Sequence, residues 1–246
     1  MTRSPLSARE LTDIKDIKDY RLIIAPALIV QTQSSVNVIK EYVHQGGHLV
    51  LTVRCGMKDE YNSLLPQRQP GAFTDIAGVE VEEFYALEEP VPVKGSWFSG
   101  QSSLWAERLV VTGGKSARVI ARYGTSNGWL DDQIAISVNS YGRGLVYYVG
   151  AYLDELAQRE LLGRFLKTAR VTTITTPPGI EMQPRVGFND VGARTETYIV
   201  INHNPDSQAI QLPWPAYEHL EKRNLTSEFY LPAYGVAIVT PLENRL

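Results

Sequence analysis

Between Tyr20 and Val53 two apolar runs flank a segment of helical spacing, and that order leaves few folds open. The run RLIIAPALIV is apolar without alternation up to Pro26, as expected of a strand covered on both faces. Ser34 or Ser35 is placed to cap a helix whose apolar residues Val36, Ile39 and Val43 recur at three and four and so share one face. Gly46-Gly47 then supplies the left-handed stop, and the β-rich run His48 to Val53 follows. Strand, helix and strand in about 34 residues is the length of a right-handed parallel crossover. The chain breaks directly afterwards at Arg54-Cys55-Gly56, where many α/β enzymes carry a nucleophile.

Downstream, AFTDIAGV predicts a short helix and VEVEEFYAL an alternating strand. Further strands are predicted at Ala106–Val111, Arg118–Tyr123, Gln133–Asn139 and Leu145–Val149, the last two joined as a hairpin by a turn at Tyr141-Gly142-Arg143-Gly144. An amphipathic helix over Asp154–Ala169 follows, with Leu156, Leu161, Leu162, Phe165 and Leu166 as its buried stripe. Composition shifts at TTITTPPG, where Pro177-Pro178-Gly179 suits a linker. Beyond it, short strands at Thr195–Asn202, Gln208–Leu212, Leu225–Leu231 and Val236–Thr240 have the spacing of a small antiparallel sandwich. The expected organisation is a polar lead-in over 1–19, a parallel-sheet domain over 20–171, a linker over 172–179 and an all-β domain over 180–246.

Charge and composition remove whole classes of function. The net charge is −3 and the 24 basic residues are scattered, so the footprint of a nucleic-acid binder is missing. One cysteine, Cys55, precludes an intrachain disulfide framework and fits a reducing compartment, with the cytoplasm the default. No signal peptide and no spanning segment of about 20 apolar residues is expected. His44, His48, His203 and His219 stand apart without metal-ligand spacing, so no metal and no cofactor is expected.

Two motif matches fail on context. Gly124-Thr125-Ser126-Asn127-Gly128 fits the G-x-S-x-G elbow, but WLDDQIAISV after it reads as a strand where an elbow needs a helix, so a hairpin turn is expected. Gly113-Gly114-Lys115-Ser116 resembles the end of a phosphate loop, yet Leu109 stands where its first glycine belongs and a strand-like run follows. Among the adjacent carboxylates, Asp59-Glu60 and Asp154-Glu155 are the pairs best placed for specific contacts, each following a strand or opening a helix.

The crossover and its sharp turn are similar to the flavodoxin-like, class I glutamine-amidotransferase-like fold, in which a cysteine occupies a G-x-C-x-G elbow. Here Gly56 takes the second glycine position, the nucleophile slot falls on Arg54, and Cys55 lies one residue late. A hydrolase or amidotransferase using Cys55 or Ser126 is therefore the lesser reading, and Cys55 reads as a small packed residue.

Over Tyr20 to Leu242 the chain resembles the C-terminal half of a glycoside hydrolase family 42 β-galactosidase. The likeness rests on YRLIIAP, YVHQGGHLVLTVRCGMKDEYN, VEVEEFYAL, WAERL, NSYGRGLVYYVGAYLDE, YIVINH and LPAYGVAIV. It implies a trimerisation domain of the amidotransferase-like type followed by a small β-domain, acting beside a catalytic (β/α)8 barrel in cis or in trans. The catalytic glutamates of that retaining family lie in the barrel, so no residue here inherits a catalytic role and the chain alone is expected to be inactive. The likeness implies a homotrimer, without nucleic acid or membrane as partner. Arg54, Lys58, Asp59, Glu60 and Asn62 form a polar loop suited to a neighbouring subunit or its sugar site, against the plainer reading of a solvated turn.

Overall fold

The structure is a computed structural model and describes residues 11–112, 117–188, 192 and 194–242. They fall into two compact units that divide between Val171 and Thr172.

The first unit is a mixed sheet with few helices. Its strands are β1 (Leu22–Ala25), β2 (His48–Thr52), β3 (Val79–Ala86), β4 (Val91–Gly95), β5 (Ser99–Val111), β6 (Arg118–Tyr123), β7 (Ile134–Tyr141), β8 (Gly144–Val149) and β9 (Ala151–Leu153). The helices are α1 (Gln33–His44), α2 (Thr74–Ala77) and α3 (Glu155–Thr168). Strand order is β1-β2-β8-β7-β6-β4-β5-β3, with β9 against β5. Among the described strands only β1, β2 and β8 run parallel, and every other strand pairing is antiparallel. The parallel sheet expected for the whole domain is thus confined to one end. Short hairpins such as Tyr141–Gly144 can connect only antiparallel neighbours, and among the described residues no long helix lies between these strands.

The unbroken apolar character of β2 has a direct cause. Leu49 and Leu51 face a core shared with Val36, Ile39 and Val43 of α1, whereas Val50 faces the opposite core with Phe165 and Leu161 of α3. Burying each of these β2 side chains contributes about 1.5–3 kcal/mol, so this strand is fixed in register by both layers.

Helix ends follow local chemistry. The cap of α1 is Thr32 rather than Ser34 or Ser35: its side chain accepts from the Ser35 N–H, and Ser35 returns a bond to the Thr32 N–H. At the other end Gly47 N–H donates to Tyr42 C=O and Gly46 N–H to Val43 C=O, a Schellman stop with Gly46 at φ 115°. In α3 the buried stripe is Ala157, Leu161 and Phe165, whereas Leu156 is 79% exposed. A cap at Asp154 sets the phase of the helix, turning Ala157 rather than Leu156 onto the sheet. Within the stretch read as a lead-in, Leu11 and Ile17 are buried in the α1-side core.

The second unit is antiparallel throughout. It comprises β10 (Ile180–Phe188), β11 (Arg194–Asn202), β12 (Gln208–Gln211), β13 (Ala216–Glu218), β14 (Arg223–Leu225), β15 (Glu228–Leu231) and β16 (Val236–Pro241). Five strands order as β10-β11-β16-β13-β14, and β12 pairs β15. Val200, Ala216 and Val239 of the larger sheet share a core with Ile210, Phe229 and Leu231 of the smaller. Buried Asn202 joins its loops by donating from Nδ2 to the carbonyls of Asp206, Leu231 and Pro232 at 2.8–3.2 Å.

Candidate functional site

The turn at the end of β2 is built around an arginine in the left-handed region. Arg54 has φ 66°, a conformation that costs a non-glycine residue about 1–2 kcal/mol. Its backbone N–H donates to Glu107 Oε1 at 2.8 Å. A hydrogen bond to a charged group is worth about 1.5–3 kcal/mol, enough to offset the strain.

Glu107 is the centre of the site. It lies in β5, is fully buried, and accepts from Trp105 Nε1 at 3.2 Å as well as from Arg54. Its other oxygen accepts from the Tyr148 hydroxyl of β8 at 2.8 Å. Burial pushes the carboxyl above the usual range, while the Arg54 N–H, the Tyr148 hydroxyl and the Trp105 indole pull it back. Burial also drives the Tyr148 and Tyr123 hydroxyls well upward. Tyr123 Oη donates toward the carbonyls of Glu107 and Gly150 at 3.0 and 2.7 Å.

Cys55 is sealed beneath this turn. Its side chain is fully buried, accepts from the Leu28 N–H at 3.3 Å and donates to the Ala25 carbonyl at 3.4 Å. Burial pushes the thiol up to about 12, with the nearby Glu107 charge adding to the rise. A thiol so held is neither ionised nor reachable at neutral pH. Gly56, at φ 68°, lets the Pro70 carbonyl approach to where a Cβ would stand 2.1 Å away. No helix directly follows this turn, because residues 56–58 zip onto 28–31 through bonds such as Met57 N–H to Ile29 C=O and Gln31 N–H to Lys58 C=O, and Leu65 N–H returns to Met57 C=O.

The polar loop divides into two parts. Lys58 Nζ donates to Asn62 Oδ1 at 2.9 Å, and Asp59 Oδ1 accepts from the N–H groups of Tyr61 and Ser63 at 3.0 and 2.9 Å. Asn62 sits at φ 67°, and Glu60 is exposed beside it. Arg54 turns away from these contacts, its guanidinium 5.2 Å from the centre of the Trp105 ring, which stacks on Phe84 at 5.0 Å. The outer surface of the turn is therefore a cation on a pair of aromatic rings, with a self-bonded acidic loop along the chain.

Other sequence candidates lie elsewhere. Ser126 sits in the β6–β7 connection, where Asp131 Oδ1 accepts from the Ser126 and Gly128 N–H groups at 2.8 and 3.2 Å, and β7 rather than a helix follows. Residues Gly113–Ser116 lie outside the described residues, and the next element is β6. Asp154 caps α3 and receives the Gln101 N–H at 2.5 Å. His203 bonds Glu181 at 3.0 Å and His219 bonds Thr240 at 2.8 Å, and no cluster of three metal-capable side chains occurs among the described residues. Glu107, Trp105 and Tyr148 escape a reading based on loops and motifs. The signal for Glu107 was a lone carboxylate two residues before Leu109, on the inward face of a strand.

The family model for the β-galactosidase trimerisation domain matches residues 11–172. The chain belongs to that family. It is 30% identical over 230 residues to a β-galactosidase of Alicyclobacillus acidocaldarius, covering 89% of this chain and 32% of the relative. A β-galactosidase of Clostridium cellulovorans is 30% identical over 234 residues, with 93% and 34% covered. Among solved structures, the β-galactosidase of Bacillus circulans sp. alkalophilus superposes with a TM-score of 0.80 at 22% identity, covering 92% of this chain and 34% of that one. The cold-adapted β-galactosidase of Rahnella sp. R3 gives 0.78 at 26%, with 92% and 33% covered. The chain thus spans about a third of the length of the relatives it matches. No helix among the described residues is long and apolar enough to cross a membrane.

Proposed function

We propose that this chain is a non-catalytic assembly region that forms a homotrimer through its first unit and works with a catalytic barrel, in cis or in trans, in β-galactoside hydrolysis in the cytoplasm. The family match over residues 11–172 carries this reading. The turn after β2 supports it: the position where an amidotransferase-like elbow would carry its nucleophile holds Arg54, and Cys55 is buried. The second unit, a small sandwich in this reading, is an accessory domain over 180–246, joined by a linker over 172–179.

Size-exclusion chromatography with light scattering tests the assembly. The expected mass is three times the 27.5 kDa chain. A strictly monomeric species at micromolar concentration refutes it. The chain alone should release no nitrophenol from a nitrophenyl galactoside.

A second reading is favoured by the Arg54–Trp105–Phe84 stack, because aromatic faces and guanidinium donors suit sugar rings. In it, Arg54 with Lys58, Asp59, Glu60 and Asn62 reaches a neighbouring subunit or its sugar site. Arg54→Ala in a full-length relative should then raise KM for the galactoside, and unchanged kinetics and trimer stability dispose of it.

A further inference from the structure

At the opposite end of β2 from Arg54, a cavity of about 530 Å³ opens between the starts of β1 and β2 and the C-terminal ends of α1 and α3. Lys18, Arg21, Arg143 and Arg170 all line it, and no acidic side chain does. Among the described residues none of these four cations takes part in an ion pair. Such a concentration of positive charge is unusual in a chain whose net charge is −3.

Part of that charge has an internal explanation. Arg143 donates from one terminal nitrogen to the Gln45 carbonyl at 2.9 Å, capping α1, and Arg21 donates likewise to the Arg170 carbonyl at 2.8 Å, just beyond α3. Each helix end carries about half a negative charge. Two ends therefore neutralise about one of the four cations, and about three are left over. Lys18 and Arg170 donate no side-chain hydrogen bond among the described residues, and the second terminal nitrogens of Arg21 and Arg143 keep donor capacity. His48, also on the cavity wall, has its Nδ1 buried without a partner.

The geometry points to a binding site for a phosphate group, free or carried by a small molecule, with Lys18 and Arg170 as its principal charged contacts. A phosphate dianion offsets about two of these residual charges, and guanidinium forks match phosphate oxygens. The cavity lies within the range of about 300–1,000 Å³ typical of small-molecule sites, which leaves room for a body the size of a sugar.

Isothermal titration of the full chain at constant ionic strength tests the site, using inorganic phosphate, glucose 6-phosphate and glucose as probes. Saturable binding is expected for the two phosphates and none for glucose. Tighter binding of glucose 6-phosphate identifies a phosphorylated metabolite as the occupant, and equal binding identifies the free anion. Lys18→Gln and Arg170→Gln leave both capping bonds in place, and together they should weaken phosphate binding about tenfold or more. Lys40→Gln, which loses its ion pair with Asp75 of α2 and does not line the cavity, should leave the affinity unchanged. Circular dichroism of each variant checks that the fold is kept. Absence of saturable phosphate binding, or equal affinity in the Lys18→Gln/Arg170→Gln variant, overturns the proposal.

Discussion

Removing the Glu107 carboxylate tests the account of the β2 turn most directly. In Glu107→Leu the volume is largely kept, but the Arg54 N–H, the Trp105 indole N–H and the Tyr148 hydroxyl all lose their acceptor. A buried donor without a partner costs about 1–3 kcal/mol. Even at the low end three of them sum to about 3 kcal/mol, a large part of the 5–15 kcal/mol that holds a typical domain. Relief from burying a carboxylate offsets some of this, which is why the low end is the expectation. For a unit of this size the loss corresponds to a fall in Tm of roughly 6–12 °C. Glu107→Gln is milder, at about 1 kcal/mol, because its amide oxygen still serves Arg54 and Trp105 while the Tyr148 hydroxyl rotates to accept from the new NH2.

The pair of variants also separates charge from shape. Glu107 has its folded-state pKa raised, chiefly by burial. A carboxylate shifted this way contributes stability that is fully present below its unfolded value of about 4.3 and lost as pH rises through the folded value. Glu107→Gln removes that titration, so its stability relative to wild type should improve as pH rises from about 4.3. Urea unfolding of both proteins at intervals between acid and neutral pH measures the difference. Glu107→Leu within about 0.5 kcal/mol of wild type, the scatter of ordinary surface substitutions, refutes the carboxylate's role as the turn's anchor. Parallel pH profiles for wild type and Glu107→Gln refute the direction of the shift.

Two further outcomes follow from the same structure. Asp154→Ala should cost about 1–2 kcal/mol by uncapping α3 and freeing the Gln101 N–H; because backbone hydrogen bonds from Ala157 and Gln101 hold the Asp154 carboxyl below its usual range, the cost should be full above pH about 3.9 and fade as pH falls through the folded value, as read from urea midpoints. Cys55 should resist iodoacetamide in the folded chain and react only after denaturation, followed by intact mass; rapid labelling of the native protein would restore the hydrolase reading.

The β1-α1-β2 crossover was legible because each step had its own local cause: apolar runs without alternation, helical spacing at Val36, Ile39 and Val43, and a glycine stop at Gly46-Gly47. What the sequence hid was direction. Parallel and antiparallel strands bury the same residue types, and only connection length tells them apart, so the domain reads as a parallel sheet although the Tyr141–Gly144 turn already marks β7 and β8 as a hairpin; β4, β9 and the first half of β5 escape that reading as strands. In β5 the left-handed Leu104, at φ 63°, and the shifted pairing with β9 between Ser102 and Ala106 break the alternation that would have announced a strand of 13 residues. In the second unit β10 was hidden by Pro184, tolerated because β10 is an edge strand with a single partner.

The site was legible by residue but not by partnership. Spacing put Arg54 in the slot of a nucleophile, and the structure gives that slot the left-handed backbone of a sharp strand-end turn. Nothing in a local window joins residue 54 to residues 105, 107 and 148, which lie on β5 and β8 and meet it only because β2 pairs with β8 and β5 folds across the sheet. The consequence is chemical. A buried carboxylate that accepts from three donors is fixed in place by them, and the thiol beside it is raised rather than lowered by its charge. The carboxylate thus suppresses the thiol's reactivity while its bonds anchor a turn whose outer face carries Arg54 on Trp105, with Phe84 stacked on that ring.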